Sequence, residues 1–221
     1  WTLDLRLPGG ERLTGRIPDA APFGILRVHA GRLHGERRLA DWISYLALVV
    51  AVQQGRVYAG PGAAAPAIGD AAASAMVLRT AGLDDQEQLE QQQAYVAPDR
   101  AAEHLAALVA AYREARRRPL PFRPSLGVAY AETVEGVGQK QKSPAEALKS
   151  RNGYLANTYH TAWELNDPYF RLAAPAPSYL GEDPVESDFC RLAEAVCGPL
   201  VRELRDTAWT AAEAAANGEA E

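Results

Sequence analysis

Two strand-like runs followed by an amphipathic helix, all within Arg12–Val50, constrain this chain more than any other feature. The runs are Arg12–Pro18 and Gly24–Ala30, separated by the turn residues Pro18-Asp19 and Pro22. Gly31 and Gly35 end the extended pattern. Leu39, Ile43, Leu46 and Val50 then recur at helical spacing, with Trp42 and Val49 on the same side. Glu36, Arg37, Arg38, Asp41 and Ser44 take the other faces, so a helix over about residues 36–53 is expected. Strand, strand, helix is the core order of an α/β domain.

The flanking sequence extends this frame. Trp1, Leu3, Leu5 and Leu7 alternate with Thr2, Asp4 and Arg6, which predicts a strand. Pro8-Gly9-Gly10 turns it into Leu13–Ile17 as a hairpin. Phe23–His29 makes a third strand and Ala75–Thr80 a fourth, giving a small mixed sheet of about four strands with flanking helices. Gly60–Ser74 is low in complexity and reads as a surface loop. Gly82–Pro98, rich in Gln and acid, reads equally as a short helix or a mobile insertion.

Helices dominate the rest. Pro98 suits the first position of a helix over about residues 98–117, whose apolar stripe is Leu105, Leu108, Val109 and Tyr112. Pro119, Pro121 and Pro124 stop it, and a short helix is expected over Pro124–Glu132. Glu135–Ser143 is a loop, and Ser143-Pro-Ala-Glu146 is a capping box opening a helix to about Glu164, with Leu148, Leu155, Tyr159 and Ala162. Asp183-Pro-Val-Glu186 has the same design and precedes a last helix with Phe189, Leu192, Ala193, Val196, Leu200 and Leu204. Gly198-Pro199 should kink that helix, and the Ala-rich end from about Trp209 should fray. Residues 1–118 thus read as a sheet-containing core with two insertions, and 119–221 as a mostly helical portion of the same domain.

Composition narrows the function classes. At 221 residues, with 48% hydrophobic and 23% charged, the chain can bury a real core. No apolar run approaches the ~20 residues of a membrane span, so no membrane partner is expected. The chain opens directly on WTLDLRL, without Met or a secretory pattern, and reads as a segment of a longer protein. A net charge of −5 argues against a free-standing nucleic-acid binder, though not against local basic patches. Cys190 and Cys197 lie seven apart in a helical pattern, about 10.5 Å, too far for a disulfide. They read as small buried hydrophobes of a cytoplasmic protein.

Few residues carry chemistry. His34 and Glu36 read as solvated surface rather than ligands, and no Cys/His cluster has zinc spacing. Phosphate-binding glycine loops and a nucleophile elbow are absent, and no cofactor is expected. His29, His104 and His160 are isolated in sequence and read as structural. Arg113, Arg116, Arg117 and Arg118 crowd a helix C-terminus, where complementing the helix dipole is favoured over contacting phosphate. Lys140 and Lys142, with Lys149 and Arg151, form a looser basic region. Tyr154, Tyr159, Trp163, Tyr169 and Phe170 read as core packing ahead of base stacking.

PD-(D/E)xK nucleases of the RecB type end one strand in Gly-x-x-Asp, carry Asp-x-Lys and Gly on the next, and begin the following helix with Gln-x-x-x-Tyr. Two carboxylates there hold Mg²⁺ while the Lys positions water. This chain resembles that frame with the chemistry removed. Gly15-Arg-Ile-Pro18 has Pro for the first Asp, with Asp19 displaced by one. Arg27-Val-His29-Ala-Gly31 has Arg for the metal-binding Asp and His for the Lys. Asp41-Trp-Ile-Ser-Tyr45 keeps the Tyr and loses the Gln. Adding RRRPLPF (Arg116–Phe122), HTAWELNDPY (His160–Tyr169) and DFCRLAEAVCGPLV (Asp188–Val201), the chain resembles the C-terminal domain of RecC, of actinobacterial type.

RecC is the gamma subunit of exodeoxyribonuclease V, an ATP-driven helicase–nuclease that processes double-strand breaks. The resemblance implies a nuclease-like fold without catalytic residues. It implies RecB and RecD homologues as partners, and single- and double-stranded DNA guided or split in the assembled complex. Two other readings stand beside it. One is an active metal-dependent nuclease with relocated carboxylates at Asp19, Glu36 and Asp41. The other is a protein-interaction domain that never touches DNA.

Overall fold

Alternation builds the first sheet. In the computed structural model, β1 (Thr2–Arg6) and β2 (Arg12–Arg16) form the expected hairpin, with Leu3 opposite Gly15 and Leu5 opposite Leu13. Trp1, Leu3, Leu5, Leu7 and Ile17 turn inward and are buried. The structure describes residues 1–60, 67–84, 86–120, 122–137, 140–149 and 187–206.

The remaining elements follow in order: β3 (Ala20–Ala21), β4 (Gly24–Arg32), α1 (Gly35–Gln53), β5 (Val57–Tyr58), α2 (Asp70–Ser74), β6 (Val77–Leu83) and β7 (Leu89–Ala94). Then come α3 (Pro98–Ala115), α4 (Pro124–Glu135), α5 (residues 144–149), α6 (Asp188–Val196), α7 (Gly198–Glu203) and β8 (Leu204–Asp206). The fold is mixed α/β, as expected, but the strands divide between two sheets. One is antiparallel, in the order β2-β1-β5; the other is mixed, in the order β3-β4-β6-β7-β8. The described residues form two compact units, Trp1–Ala106 with the residues from Glu203, and Ala107–Arg202.

In the first unit, β4 and β6 are parallel, and α1 makes the crossover that parallel strands require. Gly24 starts β4 with φ +127°, and a Cβ there would lie 2.0 Å from the Val77 carbonyl oxygen. Only glycine permits this approach of β4 to β6. Helix α1 supplies the core with Leu39, Trp42, Tyr45, Leu46, Leu48, Val49, Val50 and Val52, all buried. At roughly 1.5–3 kcal/mol for each large side chain, it is the main source of cohesion in this unit. Two assignments to its faces change. Ile43 is 39% exposed, while Asp41 is buried.

The Gln-rich segment is neither helix nor mobile insertion; it is strand β7. Asp84 Oδ1 accepts from the backbone N–H groups of Gln86 and Gln88, both at 2.8 Å, and this turn folds β7 back on β6. Ladder pairing on both sides, with β6 and with β8, overrides the helical preference of Gln. Val57–Tyr58 is a short strand beside β1 that no alternation announced. Part of the low-complexity stretch, Asp70–Ser74, is helix α2, while 61–66 lies outside the described residues.

In the second unit, Leu126, Tyr130, Leu148, Phe189 and Cys190 form the core, with Tyr130 and Phe189 edge to face at 5.6 Å. The short helix expected after Pro124 is α4, running on to Glu135. The Ser143 box forms: the Glu146 carboxylate accepts from Ser143 N at 3.0 Å and Ser143 Oγ at 2.8 Å. Its helix beyond Lys149, the aromatic stretch and the Asp183–Glu186 box lie outside the described residues. Helix α6 is capped by Ser187, whose hydroxyl accepts from Cys190 N at 3.3 Å. The break before Gly198-Pro199 is present, and helix α7 stops at Glu203 because Leu204 leaves it to pair with Ala94. Cys190 and Cys197 are free and buried.

Candidate functional site

Residues two apart on a strand share a face, so Arg27 and His29 both point from β4 toward α1. They meet there on Asp41, which is 1% exposed. Arg27 Nη1 donates to Asp41 Oδ1 at 2.6 Å. His29 Nε2 lies 2.7 Å from Oδ2 of the same carboxylate. Arg27 Nε donates to Asp19 Oδ2 at 3.2 Å, and its Nη2 reaches Ser44 Oγ at 3.5 Å. One guanidinium therefore bridges two carboxylates, one in the turn before β3 and one on α1. The pairing of β4 with β6 shifts register between Val28 and Arg32, the kind of irregularity that re-aims side chains next to a site.

The cluster explains the change of face on α1. A buried carboxylate is tolerated only with charge and hydrogen-bond partners, and Asp41 has one on each oxygen. His29 is therefore not the isolated histidine that its sequence surroundings indicate. Tyr45, one turn beyond Asp41, is buried and joins the residue before β6 to the segment after β7: its hydroxyl donates to the Met76 carbonyl at 2.9 Å and accepts from Val96 N–H at 3.1 Å. Burial pushes its phenol well above the usual tyrosine range. Trp42 packs on Tyr45 at 5.9 Å and on His104 at 6.3 Å.

The other candidates are placed as follows. Pro18 is exposed in the turn that follows β2. Of Asp19, Glu36 and Asp41, the first and last share Arg27, while Glu36 is exposed in the first turn of α1. Among the described residues, no group of three or more His, Cys, Asp or Glu side chains could hold a metal ion. Both Asp41 oxygens are already hydrogen-bonded, which leaves that side chain poorly suited to a divalent cation.

In the second unit, α3 ends at Ala115, so Arg116, Arg117 and Arg118 lie in the turn beyond it. Arg118 is held by Glu114 and by Asp188 Oδ2, the latter at 2.6 Å, and Arg191 joins the same two acids. The Arg118 hydrogen bond, with Arg191 in support, draws the Asp188 carboxyl down to about 2. Arg113 is exposed in the last turn of α3, and Arg116, Arg117 and Lys140 are also exposed. Lys142 is half-buried and its N–H bonds the Thr133 carbonyl at 3.1 Å. The Leu105 end of the α3 stripe is buried, whereas Tyr112 is 62% exposed. Tyr112, Leu108, Leu120, Phe122, Leu192 and Val196 line an apolar groove of about 270 Å³. No helix among the described residues is long and apolar enough to cross a membrane.

Fold and cluster together define a mixed α/β domain whose strand-to-helix junction is closed by an ion-paired arginine. The family described as the RecC C-terminal domain matches residues 2–135, which include both sheets' main strands and the whole Arg27 cluster, and the chain belongs to that family. Membership ties it to the gamma subunit of the RecBCD exodeoxyribonuclease V, an ATP-dependent helicase–nuclease of DNA repair and recombination that also contains RecB and RecD. No curated protein matches the chain.

Proposed function

We propose that this chain is a non-catalytic domain of the exodeoxyribonuclease V gamma subunit, scaffolding the complex in the cytoplasm and guiding DNA through it. The observation that carries this reading is Arg27 lying between Asp19 and Asp41, with His29 on the second Asp41 oxygen. In a PD-(D/E)xK nuclease, carboxylates at a strand-to-helix junction hold a divalent cation. Here a guanidinium, itself a fixed cation, satisfies them. We read residues 1–118 as this degenerate nuclease-like core, of actinobacterial type, and 119–221 as its helical continuation.

Two surfaces of the second unit support the scaffold and guide roles. The apolar groove beside Tyr112 and Leu192 is suited to a side chain of a RecB or RecD homologue. Arg113, Arg116, Arg117, Lys140 and Lys142 are the cations we assign to DNA there, with Arg118 contributing charge while it ties α3 to α6.

The test is a Mg²⁺- and Mn²⁺-dependent cleavage assay on single- and double-stranded DNA, with an Asp19→Ala/His29→Ala variant controlling for contaminating nuclease. Equal background from both proteins is expected. Cleavage that vanishes in the variant would instead establish an active nuclease with relocated carboxylates.

A further inference from the structure

The β2-β1-β5 sheet has two unlike faces. Its inner face is Trp1, Leu3, Leu5, Leu7, Ile17 and Val57, all buried. The register places Thr2, Asp4 and Arg6 outward on β1, opposite Arg16, Thr14 and Arg12 of β2. Tyr58 lies opposite Thr2 on the other side, and Asp4 N–H donates to the Arg56 carbonyl at 3.0 Å, which puts Arg56 beside Asp4. The outer face thus carries four guanidiniums, and among the described residues Asp4 is the one carboxylate on its strand positions.

That carboxylate is already taken. Arg12 grips Asp4 with Nε at 2.7 Å and Nη2 at 2.9 Å. This hydrogen bond holds the Asp4 carboxyl below its usual range, and the fields of Arg56 and Arg6 add to the effect, so all three cations bear on one acid. Arg6 lies opposite Arg12 across the strands, and Asp4, bonded to Arg12, sets one negative charge against the two. This concentration of cations stands on a chain of net charge −5. Tyr58 is 50% exposed at the edge of the patch, opposite Thr2.

We propose that this outer face binds the phosphodiester backbone of a nucleic-acid strand, with the Tyr58 ring as a platform for a base. Arg12 and Arg16 lie four residues apart, about 13 Å along a strand, so the cations form a row. Guanidinium forks match phosphate oxygens in pairs, and an exposed aromatic beside a cationic row is the pattern of single-strand binding. A protein partner is disfavoured because the face offers little apolar area besides Tyr58. The proposal rests on the reading of the chain as part of a DNA-processing complex, but on different residues from the Arg27 cluster.

Fluorescence anisotropy of a labelled single strand and of its duplex, titrated with the 221-residue chain over a range of KCl, tests it. Arg6→Gln/Arg16→Gln should weaken both complexes at least about tenfold and lower the salt slope by about 1.4 on the single strand. Tyr58→Ala should weaken the single strand about tenfold and leave the duplex nearly unchanged, since only unpaired bases stack. Equal losses on both substrates would overturn the base platform. Arg116→Gln/Arg117→Gln should leave the effect of the Arg6/Arg16 change intact. Undetectable binding by the wild type, or unchanged affinity and slope in the Arg6/Arg16 variant with wild-type circular dichroism, would overturn the backbone contact. An equal loss on poly-glutamate in place of DNA would reassign the face to an acidic protein. Arg56→Gln repeats the test from the residue before β5 if changes in the hairpin disturb folding. Failure here leaves the cleavage prediction standing, because that one depends on Arg27, His29 and Asp41.

Discussion

Arg27 Nη1 donates to Asp41 Oδ1 across 2.6 Å, joining the strand to the helix that follows it. Arg27→Met leaves a carboxylate that is 1% exposed with His29 as its remaining partner in the cluster. We expect a loss of about 3–5 kcal/mol, the usual cost of stranding a buried charge. Arg27→Met combined with Asp41→Leu should cost clearly less, because both charges go together. Urea unfolding of the two singles and the double measures this. Additive losses would show that the pair is not a unit.

The Asp188 carboxyl is held down to about 2 by Arg118, below its ordinary value of 3.8. The folded form therefore keeps its charge at pH values where the unfolded form takes up a proton. Its contribution is full above about pH 4 and is lost as pH falls toward 2. Arg118→Met should lower the urea midpoint at pH 6, and the gap from wild type should narrow steeply between pH 4 and 2 and close below that. A gap of constant size across that window would place the stabilisation elsewhere. Because both side chains are more than a third exposed, the gap should also shrink in high salt.

Tyr45→Phe removes one hydroxyl and leaves the Met76 carbonyl and the Val96 N–H without it. Stranding buried backbone groups costs about 1–3 kcal/mol each. A lowered melting temperature with an unchanged circular dichroism spectrum is the expected result. The wild-type phenol, pushed up by burial, should also stay protonated where exposed tyrosines ionise near 10. Unfolded chains then lose the proton first, so stability falls as pH rises past that value. Absorbance titration with and without urea reads the difference.

The hairpin, α1 and the start of α3 at Pro98 were legible because alternation, helical spacing and proline chemistry are local signals. The faces of α1 were only partly legible. Hydrophobicity ranks Ile43 inward and Asp41 outward, and it cannot register that Arg27 and His29, a dozen or so residues earlier, provide Asp41 with a polar pocket. Strand β7 was hidden for a related reason: Leu-Glu-Gln-Gln-Gln-Ala becomes a strand through pairing on both sides, with β8 drawn from the far end of the chain. The arginine face of the first sheet was written in the same alternation that revealed its core. The alternation sets Arg6 outward, but nothing local gathers it with Arg12 and Arg16 into one face; the strand pairing does. Family resemblance locates the substitutions at Arg27 and His29, and only the fold shows that both bond Asp41.

Strand β8 pairs with β7 across more than a hundred intervening residues. During synthesis, at roughly 5–20 residues per second, the outer edge of β7 waits about 5–20 s for its neighbour. The second unit, encoded in between, emerges complete during that interval. Among the described residues, the five-stranded sheet is thus the last part to close, and its completion reports that everything encoded before β8 has already been made.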